Sequence, residues 1–158
     1  MIVQRDLANI LKKFVRRKEY LAITGPRQAG KTTCLEIIED FLLHDLKIHK
    51  DSMRILTFED RKLLSQFESD PVSFVRSYMP AKTSRTFYLM IDEFQYAEEG
   101  GQRLKLLYDI MPKLKIMALR VIEWVILYLL EHTCKYFQAQ ILLVSETVSP
   151  SLYNTNFV

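Results

Sequence analysis

Cysteine is scarce in this chain, and the two that occur, Cys34 and Cys134, lie far apart with no CxxC pair and no histidine at metal spacing. That argues against a disulfide framework and against a zinc site, and points to buried thiols in a reducing compartment. The histidines His44, His49 and His132 form no HExxH or comparable pattern, so they receive no catalytic role. With 4 Gly and 5 Pro the chain is neither collagen-like nor low-complexity, and no internal repeat is present. Long apolar runs are missing as well. The longest, "IMALRVIEWVILYLL" at 116–130, carries Arg120 and Glu123 and falls short of the ~20 residues that span a bilayer, so it reads as a buried segment. No charged n-region followed by an apolar stretch and cleavage site opens the sequence, which argues against secretion and for a cytoplasmic protein. Charge of one sign is lacking too: 22 Lys+Arg stand against 19 Asp+Glu, too small an excess to imply nucleic acid or a membrane by itself. The one basic cluster, "KKFVRRK" at 12–18, reads first as the solvated face of an N-terminal helix and second as a phosphate-backbone contact.

What is present is the material of a folded domain. The composition is 49% hydrophobic and 26% charged, and 158 residues suffice for a single domain that buries roughly 70% of its extended-chain surface. "DLANILKKFVRR" (6–17) has helical spacing, with Asp6 as its N-cap. "EYLAIT" (19–24) reads as a strand stopping at Gly25 and Pro26, and 31–43 as a helix carrying Leu35, Ile38 and Leu42. "MRILTFED" (53–60) is a second strand, followed by helical pieces near 60–67 and 72–79. "TFYLMIDE" (86–93) is an almost continuous apolar run ending in two carboxylates, the pattern of a strand covered on both faces. A helix at 101–111, a fourth strand at 113–119, a helix at 121–132 and a last strand candidate at 139–146 complete the pattern. Strands alternating with helices imply an α/β fold with a mostly parallel sheet.

Between the first strand and the first long helix, "GPRQAGKT" fits GxxxxGK[ST] at every fixed position. Gly25 and Gly30 let the backbone turn tightly and approach an anion. The N–H groups that follow converge on a phosphate at the positive end of the helix. Lys31 supplies a cation near the β- and γ-phosphates, and the Thr32 hydroxyl can ligate Mg²⁺. The phosphate contacts are assigned to Gly25, Pro26, Arg27, Gln28, Ala29, Gly30, Lys31, Thr32 and Thr33. Asp92 arrives at the C-terminal end of a buried strand, where it can reach the same Mg²⁺. Glu93, diverging from it as successive strand residues do, can polarise a water for attack on the γ-phosphate. The catalytic candidates are thus Glu93 and Lys31, and the metal candidates Thr32 and Asp92. No base-reading NKxD, as a GTPase would carry, is found, and no basic lid of a small-molecule kinase is identified.

"GPRQAGKTT", "ILTFED", "FYLMIDEFQYAEEGGQRLKLLYD" and "PKLKI" resemble the ATPase domain of a large group of prokaryotic AAA+-superfamily proteins of poorly defined function, over about residues 5 to 116. In that group the ATPase domain is usually followed by a domain similar to restriction-type nucleases. The resemblance implies a P-loop fold of the additional-strand type with sheet order 5-1-4-3-2, in which the last strand is the least defined. It also implies ATP and Mg²⁺ as ligands, with Asp92 and Glu93 in the roles just described. The family pattern then runs into a small polar motif similar to T-G-S-S, whose first polar group acts as a sensor of the γ-phosphate. Here no Ser or Thr occurs from 116 to 132, and the chain from 117 reads as a truncated or diverged ending. The expectation is an ATP·Mg²⁺-binding ATPase domain with slow hydrolysis. The alternatives are a nucleotide-dependent switch or interaction module without useful turnover and a DNA-associated ATPase. A homo-oligomer or an unidentified protein partner fits each of these, nucleic acid has only the basic cluster to support it, and no membrane is implicated.

Overall fold

The computed structural model describes residues 12–24, 31–80, 85–119 and 141–145. The candidate helix at 121–132, most of the opening helix, and the glycine loop at 25–30 lie outside the described residues. Five strands form one sheet: β1 (Tyr20–Thr24), β2 (Met53–Thr57), β3 (Phe87–Asp92), β4 (Leu114–Leu119) and β5 (Ile141–Ser145). Their spatial order is β2-β3-β4-β1-β5. Read from β5 this is 5-1-4-3-2, the order the resemblance implies. All four strand pairs are parallel, so every strand delivers its C-terminal residue to the same edge.

Burial explains the composition of the central strands. Every residue of β4 and all but the last of β3 are buried, which is why, Lys115 apart, both read as apolar runs rather than as alternations. Alternate residues feed two separate cores. Leu21, Ile23, Tyr88, Met90, Met117 and Leu119 face a core closed by Leu35 and Ile38 of α1 (Lys31–Asp40) and by Phe41 and Leu42 just beyond it. Tyr20, Ala22, Phe87, Leu89, Ile91, Ile116 and Ala118 face the other core, closed by α2 (Arg61–Ser69), α3 (Pro71–Tyr78) and α4 (Gly100–Ile110) through Phe67, Phe74, Leu104 and Leu107. Helices therefore cover both faces, the three-layer arrangement of doubly wound α/β proteins.

Local chemistry sets the element ends. α1 passes into a π-helical turn at Phe41–Asp45, so the last three residues of the expected helix and two beyond it take a different hydrogen-bonding register. β2 stops at Thr57, earlier than the run to 60 suggested, because Asp60 accepts hydrogen bonds from the amides of Lys62 and Leu63 and so starts α2. Asp70 does the same for Val72 and Ser73 at the head of α3, with Pro71 at the first helical position. At the opposite end of the sheet, Lys115 near the start of β4 is buried. Its ammonium donates to the carbonyls of Phe14, Arg17 and Glu19, tying the short helical turn at 12–15 to the sheet. Burial, with Arg17 nearby, brings Lys115 down to about 8, and Glu19 opposes that shift.

Candidate functional site

The carboxyl edge of a parallel sheet is where open α/β folds bind ligands, and here it gathers the residues singled out in the sequence. β1 ends at Thr24 and α1 begins at Lys31, so the glycine-lysine motif joins a strand to a helix as its mechanism requires. Lys31, Thr32 and Thr33 form the first turn of α1. Gly25, Pro26, Arg27, Gln28, Ala29 and Gly30, the remaining candidates for phosphate contact, lie outside the described residues.

Asp92 closes β3 in register with Thr57 of β2. Ile91 is paired with Ala118, so on the other side the residue that continues the row is Leu119, itself paired with Ile23 of β1. Because Tyr88 and Met90 belong to the core under α1, the period-two alternation of the strand puts Asp92 on that same face. The half-buried carboxylate thus stands at the end of the sheet on the side of the helix that carries Lys31 and Thr32. Leu119 is fully buried, so the residue beside Asp92 in this row is apolar.

Glu93 departs from the sequence expectation. It is not the next residue of the strand: β3 ends at Asp92, and Glu93 takes a left-handed conformation with φ 55° and ψ 36°. Divergence of the two acids therefore comes from a turn rather than from strand alternation. A left-handed conformation is unfavourable for a residue with a Cβ, by about 1 kcal/mol or more, and persists only where neighbours impose it. Several do. The Glu93 amide donates to Asp92 Oδ1 at 2.9 Å. Phe94 is buried against Phe58 and Phe67, with ring centroids 5.7 and 6.0 Å away, and the Phe58 amide donates to the Asp92 carbonyl at 3.0 Å. Farther on, Glu99 repeats the left-handed conformation at φ 50°. The stretch between is held by Arg103, which donates to the carbonyls of Glu98 and Glu68, and by the Glu98 amide, which donates to Glu68 Oε1 at 2.8 Å. The Glu93 side chain is buried at 4% exposure, and the Gln95 amide Nε2 donates to its Oε2.

Sequence reasoning missed Gln95, although it sits inside the most specific quoted stretch, two residues beyond Glu93. Leu119 was not singled out either; the sequence showed only that no Ser or Thr occurs from 116 to 132. The basic run 12–18 sits by the start of β4, through the contacts of Lys115, and hence at the amino edge of the sheet, about 17–20 Å from the carboxyl edge. It has no part in this site. Three of its cations lie over aromatic rings, Lys12 over Phe41, Arg17 over Phe14 and Lys18 over Tyr108.

Among the described residues no group of three or more His, Cys, Asp or Glu side chains is placed to chelate a metal. Asp92 as the one metal candidate among these acids would suit Mg²⁺ shared with phosphate oxygens and water rather than a closed protein cage. Among the same residues no helix is long and apolar enough to cross a membrane.

Comparison with known proteins agrees with this geometry. No curated protein matches the sequence. Among solved structures the chain is similar to a DNA replication initiation factor, at 14% identity and a TM-score of 0.51, over 91% of this chain and 44% of that one. Two others are a DNA polymerase III gamma subunit-related protein from Thermotoga maritima, at 10% identity and a TM-score of 0.48 over 92% and 47%, and C. elegans PCH-2, at 13% identity and 0.45 over 92% and 40%. The chain spans less than half the length of each. The family model described as an AAA domain matches residues 17–119, well over half of the sequence and as far as the end of β4. The chain belongs to the AAA domain family, with the nucleotide-binding α/β core of AAA+ proteins.

Proposed function

We propose that this chain is an ATP·Mg²⁺-binding ATPase domain of AAA+ type that holds nucleotide far better than it hydrolyses it. The observation that carries the reading is the row at the carboxyl edge, in which Asp92 stands on the α1 face and its neighbour toward β1 is the buried Leu119. Gly25 to Thr33 would wrap the phosphates, with backbone amides and the helix N-terminus supplying most of the attraction and Lys31 the cation. Thr32 and Asp92 would hold Mg²⁺, which when bound neutralises charge on the β- and γ-phosphates. Glu93, buried and fixed by its turn, would take a proton from the attacking water. A leucine offers no hydrogen bond to the γ-phosphate, and the loss of one such polar group typically costs ~10² to 10³ in rate.

The test is single-turnover hydrolysis of labelled ATP with protein well above its dissociation constant, repeated across protein concentration. Saturable binding with slow turnover supports the reading. Rapid turnover independent of concentration contradicts it, and binding with no turnover at all favours a nucleotide-dependent switch, for which Leu119 would be the cause.

A further inference from the structure

Gln95 lies in the short 3₁₀ turn Phe94–Tyr96, where Phe94 is buried in the aromatic cluster and Tyr96 is exposed. The left-handed turn at Glu93 folds the chain back so that the amide two residues on reaches the carboxylate, and Nε2 of Gln95 donates to Oε2 of Glu93. The orientation of the amide follows from this partner, since a carboxylate oxygen accepts from N–H and would repel the carbonyl. The other end of the same amide is buried: Oε1 of Gln95 has no hydrogen-bond partner among the described residues. A buried carbonyl oxygen without a donor is uncommon and calls for one. Across the sheet, the last described residue of β4 is the buried Leu119.

We propose that Gln95 positions the Glu93 carboxylate through Nε2 and offers Oε1 as a hydrogen-bond acceptor to the attacking water, in place of the polar group that the end of β4 lacks. This rests on the ATPase reading. In the step it serves, the water oxygen forms a bond to the γ-phosphorus as the bond to the β,γ-bridging oxygen breaks. One water proton passes to Glu93, and the other stays on the product phosphate, directed at Oε1. ADP leaves with the electron pair of the broken bond. No oxidant or further reactant is needed.

Two substitutions separate this role from a packing role. Gln95→Leu keeps bulk and removes both ends of the amide; Gln95→Glu keeps shape and replaces the donor by a carboxyl. Thermal unfolding of each variant checks that the fold is kept. ATP·Mg²⁺ affinity and the single-turnover rate are then measured side by side for each variant, so that a change in the chemical step is separated from a change in binding. ATP·Mg²⁺ affinity is expected to stay within about twofold while the single-turnover rate falls by ~10-fold or more. Single-turnover rates that stay at the wild-type value in both variants overturn the proposal. A rate and an affinity that fall together reduce Gln95 to a packing role and overturn the proposal, and a faster rate would make Gln95 an inhibitory latch, also contrary to it. Failure of the underlying reading looks different: hydrolysis would then be insensitive to Glu93→Gln in the otherwise native chain.

Discussion

At the scale of single residues, adjacent acids are given unlike settings. Asp92 is half-buried at the end of a strand, while Glu93 is buried in a left-handed turn with an amide on its carboxylate. Glu93→Gln should therefore leave nucleotide binding intact and lower turnover by ~10²-fold or more, whereas Asp92→Asn should weaken the dependence of binding on Mg²⁺. Titration calorimetry with and without Mg²⁺ reads both; equal loss of binding in the two variants would contradict separate roles. Lys115 allows a test of a different kind. Its folded value is brought down to about 8 from 10.5, so between those values the unfolded chain binds more protons than the folded one, and the stability owed to this group rises with pH. Relative to Lys115→Met, the wild type should gain on the order of 1 kcal/mol between about pH 8 and 9.5, by urea unfolding at each pH. A constant difference would mean that the three carbonyls hold the ammonium charged throughout.

At the scale of elements, the sequence was informative where one force dominated and misleading where two competed. β3 and β4 were legible because burial on both faces leaves no polar residue in their interiors until Asp92, apart from Lys115, whose charge is satisfied by three carbonyls. β2 was extended too far: "TFED" reads as β-compatible, but the capping bonds of Asp60 win over strand propensity. Glu93 was taken as strand because nothing in its identity announces a left-handed turn. That conformation is imposed by the long-range packing of Phe94, Phe58 and Phe67. The same packing fixes the head of α4. A Cβ on Gly100 would lie 2.8 Å from Phe94 Cε1, and a ring held by two others cannot easily give way. Gly100→Ala, normally favourable in a helix by up to ~1 kcal/mol, should instead destabilise by about 1–3 kcal/mol in denaturant unfolding. A stabilised variant would show that the 94–100 turn is freer than its contacts imply.

At the scale of the whole molecule, the parallel sheet and the strand–loop–helix setting of the glycine-lysine motif followed from the alternation of elements, and the sheet order from the family resemblance. The neighbours of Asp92 across the sheet did not. Register is a property of paired strands, and only pairing reveals that Thr57 and Leu119 flank the carboxylate. The family match reaching 119 likewise carries the fold past the point near 116 where the motif pattern was lost, because β4 needs only apolar residues to complete the sheet. The central claim is that the carboxyl edge is a triphosphate site built on Lys31 and Asp92. It is tested most directly by calorimetric titration of ATP·Mg²⁺ into the wild-type chain and Lys31→Ala. Saturable binding by the wild type, weakened by ~10- to 10²-fold in the variant as one charge-assisted contact is lost, is the predicted result. Equal affinity in the two proteins, or none in the wild type, would contradict it.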